Sequence, residues 1–357
     1  MSNTAVIPAE GLMSCWKSPS NIALIKYWGK HGQQLPRNAS LSITLNQAYT
    51  VTRVRAVPSA DPGNGPNLTF RFEGELQTAF ATRIGEFLRS VTPWLEFLKD
   101  VDLSVETGNN FPHSAGIASS ASGMSALALC LCSLDARIRG VEEEGPETFR
   151  KASFIARIGS GSACRSVYGG FTVWGEHTDV PGSSDEYAVP LENEYQSAFG
   201  VLHDSILIVD PGTKKVSSRA GHGLMNGHPY AALRFEEAGK NLSKLMKALE
   251  SGDWDLFARI TEHEALSLHA MMLTSDPWFV LMHPNTLRII EEIKNFRKQT
   301  GAKVCFTLDA GPNIHLIYPA AELELVVPLL KSLEPFCHNG QQIHDTIGEG
   351  PVKLTCR

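Results

Sequence analysis

The chain has 357 residues, more than one hydrophobic core ordinarily supports, so two domains are expected. Its 43% hydrophobic and 20% charged residues are those of ordinary globular material. The formal net charge of −6 argues against a general affinity for nucleic acid or anionic membranes, so any bound anion must be gripped locally.

No run approaches the roughly 20 consecutive apolar residues of a membrane-spanning helix. The N-terminal stretch contains glutamate and proline and lacks the basic start and apolar core of a signal peptide, so a cytoplasmic protein is expected. Seven cysteines, an odd number in apolar surroundings, read as reduced thiols. Cys130 and Cys132 have no second pair at ligand spacing, which argues against zinc.

In chain order, IALIKYWGK (22–30) runs from apolar residues into Lys26, Tyr27, Trp28, Gly29 and Lys30. An edge strand needs one lysine to discourage pairing, and two lysines with two aromatics around a glycine ask for another reason. Residues 40–55 alternate polar with apolar or β-branched side chains and predict strands with a turn near Asn46. Residues 57–67, crowded with Pro, Gly, Asp and Asn, predict a surface loop. A helix is predicted over 77–90, a strand over 101–107, a small-residue loop over 108–123 and a long apolar helix over 125–138. Residues 149–158 predict a helix and 169–175 a strand. The Asp, Glu, Pro and Ser content of 178–197 marks a domain boundary. Beyond it come a strand (205–210), helices (230–250, 253–271 and 284–298) and a strand, tight turn and strand (302–319). Mixed order in both halves, without internal repeats, predicts an α+β protein of two lobes, 1–195 and 196–357.

Four segments can carry chemistry. GNNFPHSAGIASSASG (108–123) joins a strand to a helix, and helix N-termini with small residues admit phosphate, while serine hydroxyls can help hold magnesium. It matches neither GxxxxGK[ST] nor GxGxxG, and a tightly packed helix start explains it equally well. GSGSACRS (159–166) and KKVSSRAG (214–221) each combine serines with an arginine able to fork onto a phosphate or carboxylate. In TLDAGPNIH (307–315) an aspartate follows a strand; turn formation is its commoner role, general base chemistry the other. HEALSLH (263–269) fails as a metal site because its histidines are six apart, and the remaining histidines are read as surface residues. No serine stands in a GxSxG elbow.

Taken together, SPSNIALIKYWGK (18–30), NNFPHSAGIASSASG (109–123), GSGSACRS, KKVSSR (214–219) and LDAGPN (308–313) resemble the signature of the diphosphomevalonate decarboxylase family, among the GHMP small-molecule kinases. The resemblance implies a two-lobed α+β GHMP-kinase fold with the active site in the cleft between lobes. It implies ATP- and Mg2+-dependent decarboxylation of mevalonate 5-diphosphate to isopentenyl diphosphate, and commonly a homodimer. By motif, Asp309 is the catalytic carboxylate and Lys26 its charged neighbour. Tyr27, Lys30, Ser160, Ser162, Arg165, Ser218 and Arg219 hold the substrate's diphosphate and carboxylate. Asn110, Ser114, Gly116, Ser119 and Ser120 hold the ATP phosphates, Ser120 also reaching the metal. Lys30 then binds anion while Lys26 keeps the acid ionised, and Trp28 is a core residue.

Two stretches depart from the family pattern. Pro112–Ile117 reads PHSAGI where PTAAGL is expected, leaving His113 as a ligand contact or a loop-lining residue. Pro36–Ser40 reads PRNAS for PxNSS, missing one hydroxyl and placing Arg37 on an anion or in solvent. The alternatives are a mevalonate (phosphate) 3-kinase that stops after phosphorylation, a decarboxylase of the 5-monophosphate, and a non-catalytic binding descendant. They predict loss of the acid, of some diphosphate ligands, or of the loop, and the matched positions retain all three.

Overall fold

The computed structural model describes residues 7–111, 117–191, 195–212 and 218–356. The first half holds β1 (Leu12–Ile25), β2 (Lys30–His31), β3 (Leu35–Pro36), β4 (Ser40–Pro58), β5 (Leu68–Phe72), β6 (Glu75–Leu76) and α1 (Thr78–Val91). It continues through β7 (Val101–Asn109), α2 (Ser119–Arg139), α3 (Pro146–Gly159), β8 (Phe171–Trp174) and β9 (Ala188–Pro190). The second half holds β10 (Leu202–Leu207), α4 (Ser218–Gly223), α5 (Ala231–Ser251), α6 (Trp254–Leu273), α7 (Pro284–Thr300) and β11 (Cys305–Thr307). It ends with β12 (Ile314–Pro319), α8 (Leu323–Leu333), β13 (Gln342–Thr346) and β14 (Val352–Lys353).

Among the described residues, one sheet has eight strands in the order β14-β1-β4-β7-β5-β6, with β8 added to β4 and β9 to β8. Only β5 and β7 pair in parallel there, and the second sheet, β11-β12-β10-β13, is antiparallel. The mixed helices and sheets are those of the α+β class. One core joins the halves: Ile43 and Phe171 from the first sheet pack in one cluster with Ile206 and Ile317 from the second and Leu242 and Phe257 from α5 and α6. Burying each such side chain contributes about 1.5–3 kcal/mol, so the halves hold together through shared apolar area.

The turn predicted near Asn46 is absent, because β4 runs on as a single strand of 19 residues. The Asp345 carboxylate accepts the backbone N–H groups of Asn46 (2.9 Å), Gln47 (2.7 Å) and Ala48 (2.7 Å). These donors are satisfied from the second sheet, so the strand changes partners there without reversing.

α2 starts at Ser119, ahead of its apolar run, which puts Ser119 and Ser120 in its first turn. Small hydroxyl residues line its sheet side, with Ser122 2.7 Å from Thr50 and Ser125 2.7 Å from Ser18, oxygen to oxygen. Contrary to the sequence expectation, α2 is long and apolar enough to cross a membrane by length and composition, with mean hydropathy 1.3. It is instead a core helix, 83% buried over that window. At the other end of the chain, residues 348–351 turn back to the first sheet. Gly348 donates to Thr44 O and accepts from Gly170 N–H, both at 2.8 Å, before β14 pairs with β1.

Candidate active site

β1 ends at Ile25, and Lys26 follows it into the interior, 1% exposed. Its Nζ lies 3.2 Å from Oδ1 of Asp309, which stands in the turn between β11 and β12 and is 31% exposed. The two sheets thus each contribute one member of an ion pair. Burial pulls the Lys26 ammonium below its ordinary pKa, while Asp309 and Glu264 push it back up. The motif reading paired Lys26 with Asp309, and the fold brings them together across 283 positions.

Tyr27 packs edge-on to Trp174 at 4.6 Å, and its phenol pKa is pushed up by burial. Trp28 is buried, as expected, against His222. Gly29 has φ +94°, and a Cβ there would meet the Phe235 ring at 2.9 Å, so glycine is required on both counts. Lys30, half-buried on β2, donates to Gln34 Oε1 at 2.8 Å. Arg37 is exposed beside it.

Arg165 is buried, 3% exposed, in the short 3-10 helix Gly161–Val167. It donates to Ser40 Oγ at 2.7 Å and to Asn21 Oδ1 at 3.3 Å. Among the described residues no carboxylate lies within ion-pair distance of it, although Asp309 is close enough to favour its charge against burial. A buried guanidinium held only by neutral groups is suited to receive an anion. Ser40 supplies this contact even though Ala39 lacks the second hydroxyl of the family motif.

Ser160 donates to Ser120 Oγ at 3.4 Å, joining the GSGSACRS segment to the first turn of α2. Ser119 is half-buried and Ser120 exposed, so this turn offers hydroxyls and the positive end of the helix dipole to a phosphate, while the N–H groups of Ser119, Ala121 and Ser122 already donate to Ile117 O and Ala118 O. Ser162 is half-buried, its carbonyl accepting from Asn21 at 3.2 Å. Asn110 uses both ends of its amide on β4, accepting from Tyr49 N–H at 2.8 Å and donating to Gln47 O. His113, Ser114 and Gly116 lie outside the described residues, as do the side chains of Ser218 and Arg219. Among the described residues no cluster of three His, Cys, Asp or Glu could hold a metal. The exposed Ser120 hydroxyl is a hard oxygen donor of the kind that suits magnesium.

The remaining histidines are not all on the surface: His222, His228 and His315 are buried, each with a polar partner that offsets its desolvation. His222 Nδ1 accepts the Gly29 N–H at 2.9 Å. Burial, then Lys30 and Arg165, hold its pKa down to about 3, so it is neutral. His228 Nε2 meets Met271 O at 3.1 Å, and His315 Nδ1 meets Asp204 at 2.7 Å. Sequence reasoning also missed Glu264, Arg234 and Asn241. Glu264, fully buried on α6, accepts the Lys26 backbone N–H at 2.9 Å and is held by both guanidinium nitrogens of Arg234 and by Asn241 at 2.7 Å. No local spacing announces that network; only the buried polar residue inside an amphipathic helix hints at it.

A concavity of about 740 Å³ beside β14 is lined by Glu10, Arg55, Arg137, Lys353 and Cys356, far from this chemistry. Its charges are already engaged, Arg137 and Lys353 with Glu143 and Arg55 with Glu10 O, so nothing there calls for a ligand.

The fold and the paired site define a two-lobed GHMP-kinase-type protein. The model of the Diphosphomevalonate decarboxylase-like N-terminal domain matches residues 18–188, and that of the Mevalonate 5-diphosphate decarboxylase C-terminal domain matches residues 205–355. The chain is 32% identical over 353 residues to the diphosphomevalonate decarboxylase of Ganoderma lucidum, covering 94% of this chain and 86% of that one. It is 34% identical over 313 residues to that of Homo sapiens, covering 83% and 74%. Mevalonate diphosphate decarboxylase from Staphylococcus aureus superposes with TM-score 0.82 at 28% identity, over 96% of this chain and 98% of that one. MDDEF in complex with MVAPP, AMPPCP and magnesium superposes with TM-score 0.78 at 30% identity, over 97% and 99%. The chain belongs to the diphosphomevalonate decarboxylase family.

Proposed function

We propose that this chain carries out the ATP-dependent decarboxylation of mevalonate 5-diphosphate to isopentenyl diphosphate, ADP, phosphate and carbon dioxide. The observation that carries the reading is the Lys26–Asp309 pair at 3.2 Å, one member from each sheet, beside the buried Arg165. Asp309 orients the tertiary 3-hydroxyl and takes its proton as that oxygen attacks the γ-phosphorus of ATP and ADP leaves. When the C3–O bond then breaks, the proton passes from Asp309 to the departing phosphate, and the carboxylate, charged again, stabilises the positive charge that develops at C3. The C1–C2 bond breaks as C2=C3 forms, releasing carbon dioxide and phosphate. Lys26 supplies fixed positive charge behind the acid. Arg165, Tyr27, Lys30, Ser160, Ser162, Ser218 and Arg219 hold the diphosphate and carboxylate of the substrate. Asn110, Ser114, Gly116, Ser119 and Ser120 hold the phosphates of ATP. Magnesium, when bound, neutralises charge on those phosphates.

The same reading divides the chain into lobes 1–195 and 196–357. Its finer parts are a homodimer, which sedimentation velocity tests, and a cytoplasmic location, supported by cysteines that are all free.

The test offers the purified protein ATP and magnesium with mevalonate, its 5-phosphate or its 5-diphosphate, following ADP and carbon dioxide together. Equal release of both with the diphosphate alone is the expected result. ADP without carbon dioxide would make the protein a kinase, and silence with all three would favour a non-catalytic binding protein.

A further inference from the structure

We infer that α6 sets the spacing of the reacting pair, with Glu264 and His269 as positioning residues at its two ends of contact. This rests on the roles given above to Lys26 and Asp309. Those residues stand on different sheets, 283 positions apart, and something must fix their separation. α6 touches both backbones. Glu264 accepts the Lys26 N–H at 2.9 Å, and His269 Nε2 lies 3.1 Å from the Asp309 carbonyl oxygen.

Each contact is itself locked. The Glu264 carboxylate accepts four hydrogen bonds, two from Arg234, one from Asn241 and one from Lys26, so it has no freedom to rotate. A carbonyl oxygen only accepts, so the proton of the His269 ring sits on Nε2 and points at Asp309. Burial holds the His269 pKa down to about 4, so the ring is neutral. The Asp309 carbonyl also accepts from Gly311 N–H at 2.7 Å, which fixes the turn that carries the carboxylate. Glu264 and His269 are five residues apart on one helix, about 7.5 Å along its axis, so their separation is rigid. α6 is capped at its start by Asp253, which accepts from Leu256 N–H at 3.0 Å. A displacement of about 1 Å between reacting groups costs about 10²-fold in rate, which makes this spacing a kinetic quantity.

The experiment compares His269→Phe, His269→Met and His269→Gln in the full chain, measuring kcat and KM for ATP and for mevalonate 5-diphosphate. Gln places an amide N–H near the position of Nε2, whereas Phe and Met have no donor. The expected result is a kcat about 10²-fold lower in Phe and Met, with both KM values little changed, and most of the loss restored in Gln. Should Phe fail to fold, the Met and Gln variants carry the same comparison. Wild-type kcat in Phe or Met, an equal loss in Gln, or a change confined to KM would overturn the positioning role. Asp309→Asn run in parallel separates the two ideas. If it keeps full turnover, the catalytic reading falls; if it is inactive while His269→Phe is not, only the positioning role falls.

Discussion

Arg234–Glu264 and Lys26–Asp309 share a neighbourhood, since Glu264 also accepts the backbone N–H of Lys26, yet their surroundings differ in kind. The first pair is sealed, with side chains 2% and 0% exposed and both carboxylate oxygens doubly hydrogen-bonded. The second pairs a lysine 1% exposed with an aspartate 31% exposed, so its acid remains reachable by a substrate. A pair whose carboxylate is satisfied on both oxygens away from water holds structure; one whose acid is 31% exposed can be reached by a substrate. The two should therefore respond differently to substitution.

The largest effect on stability is expected from the sealed pair. Glu264→Gln leaves Arg234 buried without its counter-charge, and unfolding free energy should fall by about 3–5 kcal/mol in denaturant titration. An unchanged midpoint would show that water or another group compensates Arg234. The open pair should respond in rate. Lys26→Met keeps the shape, removes a charge whose burial is costly, and should lower kcat by about 10²–10³-fold while stability holds or rises. A fall in stability matching that of Glu264→Gln would erase the contrast between the pairs.

Smaller effects sharpen it further. Lys30→Ala should raise the KM for mevalonate 5-diphosphate about tenfold and leave the KM for ATP alone. An effect confined to ATP would mean that Lys30 serves the nucleotide. The smallest effect is the pH dependence of stability. His222 and His269 have folded pKa values of about 3 and about 4, below the ordinary histidine value of 6.5. The unfolded chain takes up protons first as pH falls, so their contribution is fully present above 6.5 and is lost as pH falls toward 4 and then 3. From pH 7 to pH 6 each should cost about 0.7 kcal/mol, and His269→Gln should remove its share of that slope.

How much of this can be read from the sequence follows from where each residue's partners lie. Lys26, Arg165, Ser120 and Asp309 sit in short strings whose residue types suit phosphate and acid chemistry, but residue type alone favours a turn role for Asp309 and fits a packed helix start at Ser120 equally well, and only the resemblance to the family assigns their roles. Glu264 sits in HEALSLH, a string whose only local signal is a metal motif with the wrong spacing. Its partners come from α5 and the end of β1, 238 positions away for Lys26, and no periodicity encodes such pairing. The run-on of β4 through Asn46 is hidden for the same reason, because Asp345 supplies the acceptors from 297 to 299 positions further on. The buried histidines mislead because residue type alone suggests exposure. Each is offset by specific hydrogen bonds to residues far along the chain, and that is a tertiary fact. Helices with long amphipathic patterns, α5, α6 and α7, are legible to within a few residues because their burial follows their own spacing.

The most direct test of the central claim is single turnover of Asp309→Asn against the unaltered chain, with mevalonate 5-diphosphate, ATP and magnesium, counting carbon dioxide per ADP. The account predicts one carbon dioxide per ADP in the unaltered chain. In the variant both should slow together by about 10²–10⁴-fold, with ATP binding retained. Near-normal release of both from Asp309→Asn would contradict it, because the acid beside Lys26 would then not be the group that takes the 3-hydroxyl proton.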